Sequence, residues 1–290
     1  MSNIEIIHSL FQYLYKNLLL PNVMKNSNQS VHKKLAHELI NISKKSALEI
    51  MKIYDTNFEV SYKKDKSPVT EADRISEDII LHEISKIEPG IDIISEEKYF
   101  DEESKSKSDY FFLIDPIDGT REFIKRNGEF TINIALVEKN KPVLGIINAP
   151  AYNDIYFAYN NLKSYKLSNT DDAIEIRTRQ HAKTQVMLHS RSIPSRKMQD
   201  IIDKYGINQI RPCGSALKFG LLAEGLADLY IRLDPCYEWD TAAGQAILEG
   251  AGGAFFDINL HEFDYNKPNF LNSDGFVSLA NISQKEHLLK

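Results

Sequence analysis

The chain has 290 residues, a formal net charge of −6 and two cysteines. That length can bury one large core or two of ordinary size, and the acidic balance argues against a nucleic-acid surface held by general electrostatics. Cys213 and Cys236 have neither metal-ligand nor disulfide-framework spacing, so both read as reduced, packed thiols in a cytosolic setting. No apolar run reaches the roughly 18 residues of a membrane span. The first residues lack the basic start and small-residue cleavage site of a secretory signal.

In chain order, Ile4 to about Leu20 carries Ile7, Leu10, Phe11, Leu14 and Leu18 at helical spacing, and Pro21 is expected to stop the run. This reads as an amphipathic helix that packs on the body or pairs with another chain; its polar face holds few cations for a lipid surface. Asn22 to Ser30 is polar and linker-like. A second helix is expected from about Lys34 to Tyr54, burying Leu35, Leu39, Ile42, Leu48 and Ile53. Phe58 to Tyr62 alternates weakly, as a strand does. Thr70-Glu71-Ala72-Asp73 is a capping box for a helix with Ile75, Ile79, Ile80, Ile84 and Ile87 inward. Ile91 to Glu97 is a short strand delivering the pair Glu96-Glu97, and Lys98 to Asp109 reads as a solvated connector.

The stretch Phe111 to Phe123 organises the rest. Phe111-Phe112-Leu113-Ile114 is an apolar run too short for a globular helix and suited to a buried strand. It ends at Asp115, and Pro116 cannot continue a central strand, so a tight turn is expected to bring Asp115 and Asp118 together around the Ile117 carbonyl. Two carboxylates and a backbone oxygen at one point suit a hard cation such as Mg²⁺. Gly119 lets a ligand approach the backbone, and Thr120 and Arg121 would open a short helix favourable to an anion. By itself Asp-x-x-Asp-Gly is also ordinary turn punctuation. An EF-hand loop is excluded, because Pro116 stands where its second position would be.

Phe130 to Val137, Pro142 to Asn148 and Asp154 to Tyr159 read as an antiparallel meander, with Lys163 to Leu167 a further strand and Asp171-Asp172 a turn. From Gln185 strands alternate with helices. Met187 to His189 is a strand ending at Ser190-Arg191-Ser192, and a helix follows from about Ser195 to Tyr205. Gly214-Ser215 then opens a helix that places Lys218 one turn in, an arrangement serving phosphate recognition or routine capping. Asp228 to Leu233 is a strand, Asp240 precedes Thr-Ala-Ala as a helix cap would, and strands near Ala254 and Phe276 close the chain. The expected organisation is an extension over 1–33, an α+β domain over 34–180 with an antiparallel sheet and metal site, and an α/β domain over 181–290.

Asp115-Pro116-Ile117-Asp118-Gly119-Thr120, with its apolar lead-in, resembles the signature of the inositol monophosphatase superfamily of metal-dependent, lithium-sensitive phosphatases. Trp239-Asp240-Thr241-Ala242-Ala243-Gly244 resembles that superfamily's second signature. The exit Thr120-Arg121-Glu122-Phe123-Ile124 resembles its 3′(2′),5′-bisphosphate nucleotidase branch, as does the position of Glu96, 19 residues before Asp115. The resemblance runs from about Lys34 to the C-terminus. It implies a layered αβαβα sandwich, in the α/β (α+β) class. It also implies metal ligation by Glu96, Asp115, the Ile117 carbonyl, Asp118 and Asp240, holding two or three Mg²⁺. Asp73 and Thr120 would orient the attacking water and take its proton, with no covalent intermediate. Neither Cys-x5-Arg nor Asp-x-Asp-x-Thr is present, which argues against the covalent phosphatase designs.

The substrate implied is adenosine 3′,5′-bisphosphate, hydrolysed to AMP, with PAPS to APS as a further reaction; this is sulfur metabolism. Contacts would come from Glu96, Ile117, Asp118, Gly119, Thr120, Arg121, Ser190, Gly214, Ser215, Lys218 and Asp240. Lys125 and Arg191 are further candidate cations. The sister activities on inositol 1-phosphate or fructose 1,6-bisphosphate are the alternatives within the superfamily. A non-catalytic metal- or nucleotide-binding protein is the alternative of another class, and Thr120 and Asp73 beside the metal speak against it. No nucleic-acid polymer or stable protein partner is implied. The chain is expected as a monomer or homodimer, cytoplasmic or peripheral on the cytoplasmic face of the inner membrane.

Overall fold

The computed structural model describes residues 20–63, 66–101, 108–160, 162–169, 172–180, 185–191 and 195–285. The amphipathic helix expected over Ile4–Leu20 lies outside these, except for its last residue. Helix α1 runs Leu20–Tyr54 without a break, so the stretch expected as a polar linker is helical. Pro21 lies within the described helix. Neither glycine nor a second proline follows it before Tyr54. Leu35, Leu39, Ile42 and Ile50 are buried, whereas Leu48 is 66 % exposed. The inner face steps from Ile42 through Ser46 to Ile50, and Leu48 lies on the other side.

Strands β1 (Val60–Tyr62) and β2 (Pro68–Thr70) form a small antiparallel ribbon that leads into α2 (Glu71–Ile87). Strand β3 (Asp92–Ser95) is followed directly by α3 (Glu96–Asp101), and then come β4 (Tyr110–Asp118) and the short α4 (Thr120–Ile124). The meander is β5 (Thr131–Glu138), β6 (Lys141–Ala149), β7 (Asp154–Tyr159), β8 (Lys163–Leu167) and β9 (Ile174–Ile176). Together these make a seven-stranded sheet in the order β3-β4-β5-β6-β7-β8-β9, with β3 parallel to β4 and the remaining pairs antiparallel.

Two expectations change here. Pro116 does not end β4: pairing shifts between Asp115 and Asp118, which lie opposite Asn133 and Thr131. The extra residue is a bulge, and a bulge is where a strand can hold a proline, since no ladder N–H is needed there. The connector expected from Lys98 begins as part of α3, and its Tyr99 packs against Trp239 and Phe270.

The second sheet contains β10 (Val186–His189), β11 (Gln209–Pro212), β12 (Leu229–Arg232), β14 (Ala254–Asp257) and β16 (Phe276–Leu279). Its order is β11-β10-β12-β16-β14. Helices α5 (Arg196–Lys204), α6 (Leu217–Ala223) and α7 (Ala242–Gly250) belong to this half, and β13 (Cys236–Tyr237) pairs with β15 (Leu271–Asn272) beside it. Successive side chains of β4 point to opposite faces. Phe112 and Ile114 pack with Leu35, Leu39 and Ile80 of α1 and α2, while Phe111 and Leu113 pack with Ala243, Ile247 and Phe219 of α6 and α7. Met198 and Ile202 of α5 cover the far face of the second sheet. The layers are therefore helix, sheet, helix, sheet, helix, the αβαβα sandwich. Filling both faces of β4 with large apolar groups fixes the strand whose end carries the acids.

Candidate active site

Sheet register brings the first two acids together. Ser95 of β3 lies beside Ile114 of β4, so the next residues, Glu96 at the start of α3 and Asp115 within β4, follow as neighbours. A one-turn 3₁₀ segment, Glu238–Asp240, supplies Asp240 from the other half of the chain. Carboxylate oxygens of Glu96, Asp115 and Asp240 all lie within 4.8 Å of one another. Asp240 does not cap α7: its Oδ2 accepts from the Tyr237 amide at 3.2 Å, and Thr241 holds the cap position. Asp118 stands outside the three-carboxylate cluster. Its Oδ2 accepts from the Ala216 amide at 2.5 Å and from Asn133 Nδ2 at 3.3 Å. The Ile117 amide donates to Asp115 Oδ1 at 3.1 Å.

Asp73 both caps α2 and touches Thr120. Its Oδ2 accepts from the Thr70 amide and hydroxyl, each at 2.7 Å, completing the capping box of α2. Its Oδ1 lies 3.1 Å from Thr120 Oγ1, which is also 3.3 Å from the Ile117 carbonyl. Gly119 makes this possible: it takes φ of 91° ahead of α4, and a Cβ there would meet Glu129 O at 3.1 Å.

Packed carboxylates push one another's proton affinity upward. Burial, then the charges of Glu96, Asp118 and Asp240, hold Asp115 well above the usual carboxylate range. Burial and Asp118 push Asp240 up to about 8, against the pull of Arg232. Burial also raises Glu96, Asp118 and Asp73, with Lys63, Lys218 and the Thr70 hydrogen bonds opposing in turn. Buried carboxylates in this state call for a cation with oxygen affinity, and an all-oxygen donor set fits a hard divalent ion. Arg232 Nη1 lies 3.9 Å from Asp240 Oδ2, and Lys63 Nζ reaches Glu96 at 2.7 Å and Glu97 at 2.6 Å. Burial by itself would lower its pKa, but the two glutamates hold it above the usual lysine value.

Beside the acids opens a cleft of about 620 Å³. Of the expected substrate contacts it is lined by Asp118, Gly119, Arg121, Ser190, Gly214, Ser215, Lys218 and Asp240; Glu96, Ile117 and Thr120 are not among its walls. Lys218 is not a solvated lysine. It is 3 % exposed, donates to the carbonyls of Ser215 at 2.7 Å and Cys213 at 3.1 Å, and lies over the Tyr230 ring. Burial lowers its pKa. Arg191 is paired with Glu129. Lys63, Glu129, His189 and Arg232 are the site residues that the sequence alone did not single out. Lys63 precedes the Thr70 motif with no spacing that marks it, and Arg232 ends an ordinary strand. Only Glu129, following Asn-Gly, stood in a recognisable turn.

An αβαβα sandwich with acids gathered around the end of β4 defines a phosphatase-type architecture, and the chain belongs to the inositol monophosphatase family, whose model matches residues 32–288. Among curated relatives it is 37 % identical over 241 residues to the 3′(2′),5′-bisphosphate nucleotidase CysQ of Salmonella typhimurium, covering 82 % of this chain and 97 % of that protein. The protein of the same name from Buchnera aphidicola is 35 % identical over 254 residues, with 86 % and 95 % covered. Among solved structures, CysQ from Bacteroides thetaiotaomicron superposes with a TM-score of 0.71 at 32 % identity, covering 85 % of this chain and 97 % of that one. An IMPase from Thermotoga maritima superposes with a TM-score of 0.70 at 27 % identity, covering 88 % and 94 %.

Proposed function

We propose that this chain is a Mg²⁺-dependent phosphomonoesterase that hydrolyses the 3′-phosphate of adenosine 3′,5′-bisphosphate, giving AMP and phosphate. The observation that carries the reading is the convergence of Glu96, Asp115 and Asp240 close to the hydrogen-bonded pair Asp73 and Thr120. Asp118 and the Ile117 carbonyl would complete the ligand set for two or three ions. Bound divalent ions would offset the acids' repulsion, acidify a water and stabilise charge on the leaving oxygen.

The chain's own residues supply the rest. When Thr120 Oγ1 donates to Asp73 Oδ1, its lone pairs can accept a proton of the attacking water and aim that oxygen at phosphorus. Asp73, held at Oδ2 by Thr70, is then placed to receive the proton through Thr120. The cleft beside the acids is large enough for a nucleoside, and its cations Arg121, Lys218 and Arg232 suit a second phosphate. Relatives named bisphosphate nucleotidases over most of their length support the nucleotide over a small polyol phosphate. PAPS, which carries the same 3′-phosphate, is a second substrate in this reading.

We place the activity in the cytoplasm, a location supported by two buried thiols that form no disulfide. No helix of the described residues is long and apolar enough to cross a membrane. The test is phosphate release, with Mg²⁺ titrated, from adenosine 3′,5′-bisphosphate, inositol 1-phosphate and fructose 1,6-bisphosphate. The first should be preferred, and a preference for either of the others moves the assignment to a sister activity.

A further inference from the structure

One wall of the cleft depends on a residue that no step of the proposed reaction uses. Glu129 lies in the loop between α4 and β5 and is 7 % exposed. Both its oxygens are engaged by the other half of the chain. Oε2 accepts from the Gly214 amide at 2.7 Å and from Arg191 Nε at 2.6 Å, and Oε1 accepts from Arg191 Nη2 at 2.5 Å. Gly214 has to be glycine here, since a Cβ would meet Glu122 Cγ and Glu129 O, each at 2.6 Å.

The turn that Glu129 holds is the one that faces the cleft. Its first amide, on Gly214, goes to Glu129, and its third, on Ala216, goes to Asp118 Oδ2 at 2.5 Å. Ser215, between them, takes a left-handed φ of 45°, a conformation that costs a serine energy and persists where surroundings impose it. Lys218 closes the turn from behind through the Ser215 and Cys213 carbonyls. Two carboxylates from the first half of the chain thus pin a strained turn of the second half at both ends. One of them, Asp118, already belongs to the acidic site. The other, Glu129, lies outside it and in addition fixes the guanidinium of Arg191, itself a residue of the cleft wall.

We propose that Glu129 is a positioning residue for substrate binding: by holding the Gly214 amide and the Arg191 guanidinium it sets the wall against which the non-reacting part of the substrate rests. Among the described residues its side chain is hydrogen-bonded to neither the acids nor the Asp73–Thr120 pair, so its influence falls on affinity and not on the chemical step. The inference rests on reading the site as a phosphatase, and it holds for whichever phosphate ester the wild-type enzyme prefers.

Three variants of the full chain test it: Glu129→Ala, Glu129→Gln and Arg191→Ala. Each is assayed at saturating Mg²⁺ on the best wild-type substrate, with thermal melting and with calorimetry of the dephosphorylated product. Glu129→Ala removes both contacts and should raise KM about tenfold or more while kcat stays within about threefold. Glu129→Gln keeps an oxygen for the Gly214 amide, and Arg191→Ala keeps the carboxylate on it, so both should raise KM by smaller factors. Product affinity should weaken in the same order. Unchanged KM in all three variants overturns the inference, and so does a fall in kcat at constant KM. If Glu129→Ala does not fold, the half-exposed Arg191 and the isosteric Gln variant decide by the same criteria. A wild-type enzyme that releases no phosphate from any ester in the panel removes the phosphatase reading itself, an outcome separate from either result with the variants.

Discussion

The two ends of the cleft are built from opposite materials. At one end Glu96, Asp115 and Asp240 crowd together beside Asp118, with Lys63 against Glu96 and Arg232 against Asp240. At the other, Glu129 and Arg191 satisfy each other, and Lys218 spends two donors on backbone carbonyls. The acidic end therefore carries more carboxylates than Lys63 and Arg232 can offset, whereas Glu129 and Arg191 form a matched pair. A site that waits for a cation must remain under-satisfied, and its strain shows as raised carboxylate pKa values. A wall that only has to be in the right place can be completed by internal pairs.

Variants at the acidic end should break function without breaking the fold. Asp118→Asn preserves an oxygen for the Ala216 amide but weakens cation binding, and turnover should fall by roughly 10³-fold or more with Mg²⁺ present. Near-wild-type activity in that variant would mean the metal role of Asp118 is misassigned, while its circular dichroism should match the parent. Thr120→Val should lower kcat by roughly 10²-fold or more and leave KM nearly unchanged, because the hydroxyl acts on the water and not on the substrate. A parallel rise in KM would instead place Thr120 on the substrate.

Smaller effects sharpen the contrast through stability. Phe111, fully buried between β4 and the α6–α7 layer, should cost about 3–5 kcal/mol when truncated to Ala, measured by urea unfolding. The metal-stripped protein should lose stability as pH rises. Between the ordinary carboxylate value and about 8, Asp240 and its neighbours keep protons in the folded state that the unfolded chain has released. Unfolding then releases protons, so its free energy falls with increasing pH across that window. Thermal melts from pH 5 to 8 should show the decline in EDTA and a Mg²⁺ rescue that is largest at pH 8; a rising Tm in EDTA would contradict the crowded-acid picture. Least of all, Leu48→Ser on the outer face of α1 should change stability by no more than about 0.5 kcal/mol.

Much of the acidic end was legible because its residues cluster in short strings with unusual neighbours. An apolar run breaking into Asp-Pro-Ile-Asp-Gly is more specific than a surface turn, whereas Asp240 before Thr-Ala-Ala reads as an ordinary helix cap and is marked only by the resemblance of Trp239–Gly244 to a family signature. Asp240 proved not to cap its helix, and Asp73 proved to cap and to contact Thr120 at once. The bulge at Pro116 was misread as a turn, since a proline's missing N–H is equally compatible with either until the partner strand is known. Leu48 was misread as core because a long helix offers several plausible apolar stripes, and only contact with the sheet selects one.

The sequence by itself determined which residues are the candidates for the proposed chemistry, since residue type and local spacing are properties of a few adjacent residues. It also determined the alternation that makes β4 a strand buried on both sides. Only the tertiary structure decided what those residues face: that Glu96 stands beside Asp115 by strand register, that Lys63 answers Glu96 and Glu97, and that Glu129 reaches 85 residues along the chain to Gly214. Pairings of that kind depend on how two sheets stack. A charged residue carries no local mark of the partner it will meet there, because Coulombic and hydrogen-bond energies depend on distance in space and not along the chain.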